Sequence, residues 1–206
     1  MAWKRREVEE VLILSKMQSK IIPNIIYDDR KFEDYPIIID EMNRQGITDY
    51  NIIKPVYHKI VVNSINLTQK SIVREAKERG DEMVCIMEQD IWFPNKSGWK
   101  YFLENIPADF DMYSGGTYGI DTRYEYKPPV VKVNLFIGHH CVIVHSKYYD
   151  KFLETNETKH IDTEQEGKGD FYVCFPFAAL QRPGYSFNNR DRVDYNSILK
   201  PEYIYR

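Results

Sequence analysis

The stretch Met83-Val84-Cys85-Ile86-Met87-Glu88-Gln89-Asp90 determines the fold that this chain is expected to adopt. Its five apolar residues are too few for a helix, and Gly80-Asp81 and Pro94-Asn95 bound it on either side. Such a run is typical of a strand buried on both faces of a sheet. Acidic residues that follow a buried strand lie where open α/β sheets bind ligands. The pair Glu88 and Asp90 is therefore predicted to hold a divalent cation against a diphosphate, and the competing interpretation is a solvated acidic turn.

Strand and helix signals alternate on both sides of this stretch. Before residue 115, the pattern predicts strands at 24–27, 50–55 and 110–114, and helices at 36–45, 65–79 and from Ser97 to about Ile106. After it, the pattern predicts strands at 130–137, 141–144 and 171–176, a helix at 146–153 and a mobile loop at 155–170. Residues 8–22 fit either a helix or a leading strand. The alternation predicts an α/β fold with a mainly parallel central sheet flanked by helices.

Length and composition limit the classes of protein that this chain can represent. At 206 residues it is expected to be a single domain, with a nucleotide-binding part at about 20–115 and an acceptor and catalytic part at about 116–206. A net charge of -3 provides no general attraction to nucleic acid. Three cysteines in apolar runs favour buried thiols over disulfides or a zinc site. No segment approaches the roughly 20 apolar residues that span a bilayer, so we expect a cytoplasmic protein, with peripheral membrane association left open.

Several short motifs follow one another in an order that resembles a known family. After Glu88-Gln89-Asp90 come Gly115-Gly116, Gly138-His139-His140, His160-Ile161-Asp162 and Phe175-Pro176. Together they are similar to the lipooligosaccharide-type glycosyltransferases of family 25 and, more broadly, to the GT-A glycosyltransferases. The similarity extends from about residue 25 to 186. It departs from the family at Gln89, where the usual motif has a further carboxylate.

The resemblance implies a GT-A (Rossmann-like) fold and transfer of a sugar from a nucleotide-sugar, most simply a UDP-sugar, to a hydroxyl of a saccharide. It implies Mn²⁺ or Mg²⁺ as cofactor, with Asp90 as direct ligand and Glu88 as second ligand or ribose partner. His139 would complete the metal shell or line the sugar site. Asp162 would take the proton of the acceptor hydroxyl, with Glu164 as the alternative base.

Two further groups are candidates for donor binding. Asp28, Asp29 and Arg30 follow the first predicted strand, where Arg30 would pair with phosphate and an aspartate with the ribose. Gly115 and Gly116 would permit close approach of the backbone to the donor sugar. A charged turn and a plain turn, respectively, are the competing interpretations.

Three alternatives belong to other classes. Loss of the middle carboxylate suggests a non-catalytic nucleotide-sugar-binding module. A nucleotidyltransferase would also use paired acids, but it usually has a Gly-rich basic loop that this sequence lacks. A nucleic-acid acceptor, such as a hydroxylated base in viral DNA, is suggested by basic residues interleaved with tyrosines near the carboxyl terminus, namely Arg182, Arg190, Arg192, Lys200 and Arg206 with Tyr185, Tyr195, Tyr203 and Tyr205.

Overall fold

The computed structural model describes residues 21–119 and 123–206. Its strands are β1 (Pro23–Ile26), β2 (Asn51–Ile53), β3 (Met83–Glu88), β4 (Ile91–Trp92), β5 (Met112–Ser114), β6 (Val130–Val133), β7 (Cys141–His145), β8 (Phe171–Cys174), β9 (Leu180–Gln181), β10 (Gly184–Ser186) and β11 (Asp191–Val193). Its helices are α1 (Asp34–Gln45), α2 (Val61–Arg79), α3 (Gly98–Glu104), α4 (Tyr149–Leu153) and α5 (Ile161–Glu164). Except for its last two residues, the ambiguous segment 8–22 lies outside the described residues.

A seven-stranded sheet with the order β2-β1-β3-β7-β5-β8-β6 forms the centre of the molecule. β1 pairs in parallel with β2 and β3, and β5 pairs in parallel with β8. β7 is antiparallel to both β3 and β5, and β6 is antiparallel to β8. Five of the seven strands therefore run in the same direction, which confirms a mainly parallel α/β sheet. The strands of the first half of the chain were expected to lie side by side in one parallel sheet. This prediction is wrong in one respect, because the antiparallel β7 lies between β3 and β5.

The core lies on both faces of this sheet. Val84 and Ile86 of β3 pack into a cluster with residues of α2 and α4, whereas Cys85 and Met87 pack into a second cluster with residues of α1 and α3. Successive side chains of a strand point to opposite faces, so each face of β3 is covered by helices. The uninterrupted apolar run of β3 follows from this double burial.

Two glycines end the long helices that were predicted from the sequence. Gly46 follows α1 with φ 69° and Gly80 follows α2 with φ 74°, a left-handed conformation that glycine adopts without steric cost. Ser97 precedes α3 as predicted, although its side chain makes no capping hydrogen bond. No described helix combines the length and apolarity needed to cross a membrane.

The segment at 155–170 differs from the mobile loop that was predicted. It contains α5, and the side-chain amide of Asn66 in α2 donates to the carbonyls of Glu157 at 2.7 Å and Lys159 at 2.6 Å. The ammonium of Lys70 donates to the carbonyl of Thr155. These hydrogen bonds attach the segment to α2. Buried amide and ammonium groups need acceptors, and the backbone carbonyls of this segment supply them.

The three cysteines are buried and unpaired, as predicted. Cys85, Cys141 and Cys174 lie in β3, β7 and β8. Burial raises the pKa of the Cys174 thiol to about 12, so this thiol is neutral and packs as an apolar group.

Candidate active site

The functional candidates meet at the edge of the sheet where β3 ends and β7 begins. The backbone N–H of Glu88, the last residue of β3, donates to the carbonyl of His140 at 3.1 Å. Because β7 is antiparallel to β3, the residues that precede it lie beside the end of β3. The N–H of Gly138 in turn donates to Oδ2 of Asp162 at 3.2 Å. The antiparallel strand thereby brings Asp162 to the same edge as Glu88.

Two carboxylates at this edge lie close enough to influence each other's protonation. Burial, followed by the charges of Asp90 and Asp162, raises the pKa of Glu88 to about 8. Burial also raises the pKa of Asp90, against a hydrogen bond from Gln181 and the charges of Lys31 and Arg182. Oδ1 of Asp90 is buried and has no hydrogen-bond partner among the described residues. Two desolvated carboxyl groups, one with a free oxygen, are suited to a cation.

Two connected clefts meet at Glu88. The outer cleft has a volume of about 370 Å³ and is lined by residues that include Asp28, Arg30, Lys31, Lys59, Glu88 and Asp90. The inner cleft has a volume of about 120 Å³ and is lined by residues that include Asn66, Gln69, Glu88, His139, Asp162 and Tyr195. Glu88 and Gln181 line both clefts. A ligand that extends from one cleft into the other would therefore pass the carboxylate pair.

Cations lie on the outer side of the carboxylates. The guanidinium of Arg30 pairs with Asp28 and lies 4.5 Å from the ring centroid of Phe187. The ammonium of Lys31 donates to the carbonyl of Tyr185 at 2.6 Å, and its charge opposes the rise in the pKa of Glu88. Positive groups beside an acidic pair provide the two kinds of charge that a metal-bound diphosphate requires.

The side chain of Gln89 forms hydrogen bonds that hold the wall of the outer cleft and does not face Glu88 and Asp90. The sequence did not predict this role. Its Oε1 accepts the backbone N–H of Asp28 at 2.7 Å, and its Nε2 donates to Asp34 at 3.2 Å. Arg182, which the sequence suggested only as one of the basic residues for a nucleic-acid acceptor, donates to the carbonyl of Gln89 at 2.8 Å. The only signal for Gln89 was its departure from the acidic motif of the similar family.

Three predicted donor-binding residues lie outside the two clefts. Asp29 is half-exposed and accepts a hydrogen bond from the hydroxyl of Tyr57 at 2.8 Å. The carbonyl of Gly115 accepts the N–H of Ala179 at 3.0 Å, and a Cβ on Gly116 would lie 2.2 Å from the carbonyl oxygen of Ala179. The close backbone approach that these glycines permit is to the neighbouring chain segment around Ala179.

The two predicted candidates for the base are placed differently. Asp162 lines the inner cleft. Glu164 forms ion pairs with Lys159 at 2.9 Å and Lys168 at 3.8 Å, and the hydrogen bond from Lys159 lowers its pKa. Of the two carboxylates, Asp162 is the one that faces the space where a substrate can bind.

The predicted metal set of Glu88, Asp90 and His139 is not assembled as such. Within residues 21–119 and 123–206, no three His, Cys, Asp or Glu side chains form a group arranged to hold a metal ion. Nδ1 of His139 lies 2.8 Å from Oε1 of Gln69, and burial lowers the pKa of His139 to about 4. His139 therefore belongs to a buried polar pair in the inner cleft, and the two acids remain as candidate ligands.

Comparisons with known proteins leave the family open. No protein-family model and no curated protein matches this sequence. Among solved structures, A197 from STIV is 14% identical with a TM-score of 0.49, covering 90% of this chain and 97% of its own. A glycosyltransferase involved in glycosylation of the major capsid of PBCV-1 is 13% identical with a TM-score of 0.36, covering 64% and 63% of the two chains. Drosophila β-1,4-galactosyltransferase 7, solved with manganese, UDP-Gal and xylobiose, is 12% identical with a TM-score of 0.38, covering 64% and 52%.

Two of these similar structures are glycosyltransferases. At such identities and TM-scores they do not assign an activity to this chain, and they provide no support for family 25 in particular.

Proposed function

We propose that this chain is a metal-dependent GT-A-type glycosyltransferase that moves a sugar from a nucleotide-sugar, in the first instance a UDP-sugar, to a hydroxyl of a saccharide acceptor. The supporting observation is the carboxylate pair Glu88 and Asp90 at the junction of two clefts of unequal size, of which only the outer one is lined by lysine and arginine. The outer cleft provides cations for a diphosphate, and the inner cleft provides a carboxylate for a hydroxyl.

The residues present fit Mn²⁺ or Mg²⁺. Asp90 has a buried oxygen without a partner among the described residues. The pKa values of Glu88 and Asp90 are raised chiefly because both carboxyl groups are buried, so a positive ion beside them would stabilise their charged forms. Mg²⁺ is commonly held by one or two protein carboxylates together with substrate phosphates, so a third protein ligand is not required. When bound by these acids, the ion would neutralise charge that develops on the leaving diphosphate.

The outer cleft is proposed to bind the nucleoside diphosphate. Lys31 and Arg30 would contact phosphate oxygens, since both side chains line this cleft. Arg30 is already oriented by Asp28 and by Phe187, which lowers the cost of ordering its side chain on binding. The ring of Phe187 lines the same cleft and offers an apolar face to a base or ribose.

Asp162 is proposed as the general base. In the transfer, the bond between the sugar's anomeric carbon and the diphosphate oxygen breaks, and a bond from the acceptor oxygen to that carbon forms. The acceptor's proton passes to the carboxylate of Asp162. Both oxygens of Asp162 accept backbone N–H bonds, from Gly138 and Thr163, and these bonds orient the carboxylate towards one face of the inner cleft.

The alternative of a nucleic-acid acceptor loses part of its basis in the structure. Tyr195 stacks on Tyr118 at 4.0 Å, and Tyr205 stacks on Tyr101 at 4.1 Å. Tyr203 packs among aromatic side chains of the core. Rings that stack within the protein are not free to stack on bases, so a saccharide acceptor is the simpler proposal.

A donor screen tests the proposal. UDP-, GDP- and CMP-sugars are added with and without Mn²⁺, and thermal unfolding is recorded. A donor at 100 times its dissociation constant should add about 2.7 kcal/mol to the free energy of unfolding. We expect stabilisation by a UDP-sugar that requires Mn²⁺, followed by slow release of free UDP. Stabilisation without release, even with a panel of saccharide acceptors, would favour the non-catalytic binding module. Stabilisation by none of the sugars would refute the proposal.

A further inference from the structure

Gln69 and His139 form a buried polar pair on the wall of the inner cleft. Gln69 is 0% exposed and His139 is 4% exposed, and both line the cleft beside Glu88 and Asp162. Oε1 of Gln69 lies 2.8 Å from Nδ1 of His139. An amide oxygen only accepts hydrogen bonds, so the imidazole donates its proton from Nδ1. Its other nitrogen, Nε2, then carries a lone pair and no hydrogen.

The remaining polar atoms of this pair have no partner within the part of the chain that the structure describes. Nε2 of His139 and Nε2 of Gln69 are both buried without a hydrogen bond. The first is an acceptor and the second is a donor, and each belongs to a residue that is more than nine-tenths buried. A hydroxyl group donates one hydrogen bond and accepts others, so neighbouring hydroxyls of one ligand can satisfy the two atoms separately. Buried polar groups left unpaired are costly, which indicates that a ligand supplies this partner.

The charge of the inner cleft restricts that ligand further. The cleft contains the carboxyl groups of Glu88 and Asp162, and its lining residues include no lysine or arginine. Burial keeps His139 neutral, because it lowers the pKa of the imidazole. The outer cleft, by contrast, contains Arg30, Lys31 and Lys59. A negative substituent would therefore have no lysine or arginine to pair with in the inner cleft, whereas three such side chains line the outer one.

We infer that the inner cleft binds the transferred sugar of the donor as a neutral hexose, one ring hydroxyl of which donates to Nε2 of His139 while a neighbouring hydroxyl accepts from Nε2 of Gln69. This inference rests on the proposed function and specifies its substrate class. Sugars that carry a carboxylate, such as uronic acids, are disfavoured because the inner cleft offers no lysine or arginine to pair with that charge. A sugar that lacks either hydroxyl leaves one of the buried atoms unpaired.

The first test compares how the sugar contributes to binding in different variants. Dissociation constants of UDP, UDP-glucose, UDP-galactose and UDP-glucuronic acid are measured by calorimetry with Mn²⁺, in the parent chain and in Gln69→Leu. Leucine has a similar volume and removes the amide. We expect at least one hexose donor to bind the parent about tenfold more tightly than UDP, which corresponds to one hydrogen bond of about 1.4 kcal/mol. In Gln69→Leu this advantage should disappear while UDP binding stays unchanged.

Gln165→Leu is the matched control. Gln165 is 2% exposed and its Nε2 also lacks a partner among the described residues, but it does not line either cleft. The control should keep the hexose advantage of the parent. UDP-glucuronic acid should bind no more tightly than UDP, and tighter binding of this charged donor would contradict the inference.

Deoxy donors provide a test that does not depend on whether a variant folds. The deoxy analogues of the preferred hexose are compared on the parent chain, and one of them should lose the tenfold advantage. If every deoxy analogue binds like the complete hexose, or if Gln69→Leu keeps the full advantage, the inference is wrong although the proposed function stands. If no nucleotide-sugar binds at all, both are wrong.

Discussion

The side-chain amide of Gln181 donates a 2.6 Å hydrogen bond to Oδ2 of Asp90, although 91 positions separate the two residues in the chain. The contact follows from the small sheet of β4 and β9, in which Ile91 pairs with Gln181. One oxygen of Asp90 is thereby oriented, and the other remains free of partners among the described residues. A carboxylate that is positioned by one oxygen and available through the other is the arrangement that a metal ligand requires.

Asp90→Ala should abolish metal-dependent donor binding and leave the chain folded. Removal of this acid also removes its repulsion of Glu88, so we expect no loss of stability in the absence of metal. Calorimetry with Mn²⁺ and UDP-sugar measures the affinity. Asp109→Ala, which removes an exposed acid paired with Lys147, is the control and should bind as the parent does. An Asp90→Ala variant that retains metal-dependent affinity would exclude Asp90 as a ligand.

Stability without metal should fall as the pH rises through the range in which Glu88 ionises. Its pKa is raised to about 8 in the folded chain from an ordinary value of 4.5, so the folded state binds more protons than the unfolded state between these values. Glu88→Gln removes this ionisation. At pH 8 we expect the variant to be more stable than the parent by at least about 1.4 kcal/mol, the equivalent of one pKa unit. Denaturant unfolding at pH 5 and pH 8 measures the difference, and equal pH dependence in both chains would show that Glu88 ionises normally.

Mn²⁺ binding should become tighter with rising pH for the same reason. A carboxyl group with a pKa of about 8 must lose its proton to bind the ion, so affinity should rise about tenfold per pH unit between pH 6 and 7. Titrations in buffers with different ionisation enthalpies report the number of protons released. Release of no proton at pH 7 would place the ion away from Glu88.

Gln89→Asp should not strengthen Mn²⁺ binding, even though it restores the acidic motif of the similar family. The side chain of Gln89 bonds to the N–H of Asp28 and to Asp34, so a shorter, negative replacement loses reach and repels Asp34. We expect a loss of about 1–3 kcal/mol in the free energy of unfolding. Gln89→Asn, which shortens the side chain without adding charge, separates the two causes. Stronger Mn²⁺ binding with unchanged stability would show that residue 89 faces the ion.

Asp162→Asn should lower the transfer rate by about 10²–10⁴-fold and change donor affinity little. Asparagine keeps the shape and the bond from Gly138 but cannot accept the acceptor's proton, so the loss appears in the transition state. Donor hydrolysis serves as the assay until an acceptor is known. Glu164→Gln is the control, since Glu164 is held by Lys159 and Lys168 and should not affect the rate. If Glu164→Gln is inactive and Asp162→Asn is active, the base is Glu164.

Much of the fold could be predicted because its signals are local. The apolar run that became β3 and the glycines that end α1 and α2 depend on side-chain burial and backbone sterics within a few residues. The positions of Glu88 and Asp90 at the carboxyl end of a buried strand followed from the same run. The direction of β7 could not be predicted, because an apolar strand of five residues fits a sheet in either orientation.

The sequence by itself determined an α/β sheet with acids at the end of a buried strand. Only the tertiary structure decided which side chains join them. The antiparallel β7 places His139 and Asp162 beside Glu88, and β9 places Gln181 beside Asp90. It also directs Gln89 away from the carboxylates and places Gly115 against a neighbouring segment. The physical reason is that secondary structure depends on neighbours in sequence, whereas a site at a sheet edge depends on strand order, and strand order is decided by contacts between residues far apart in the chain.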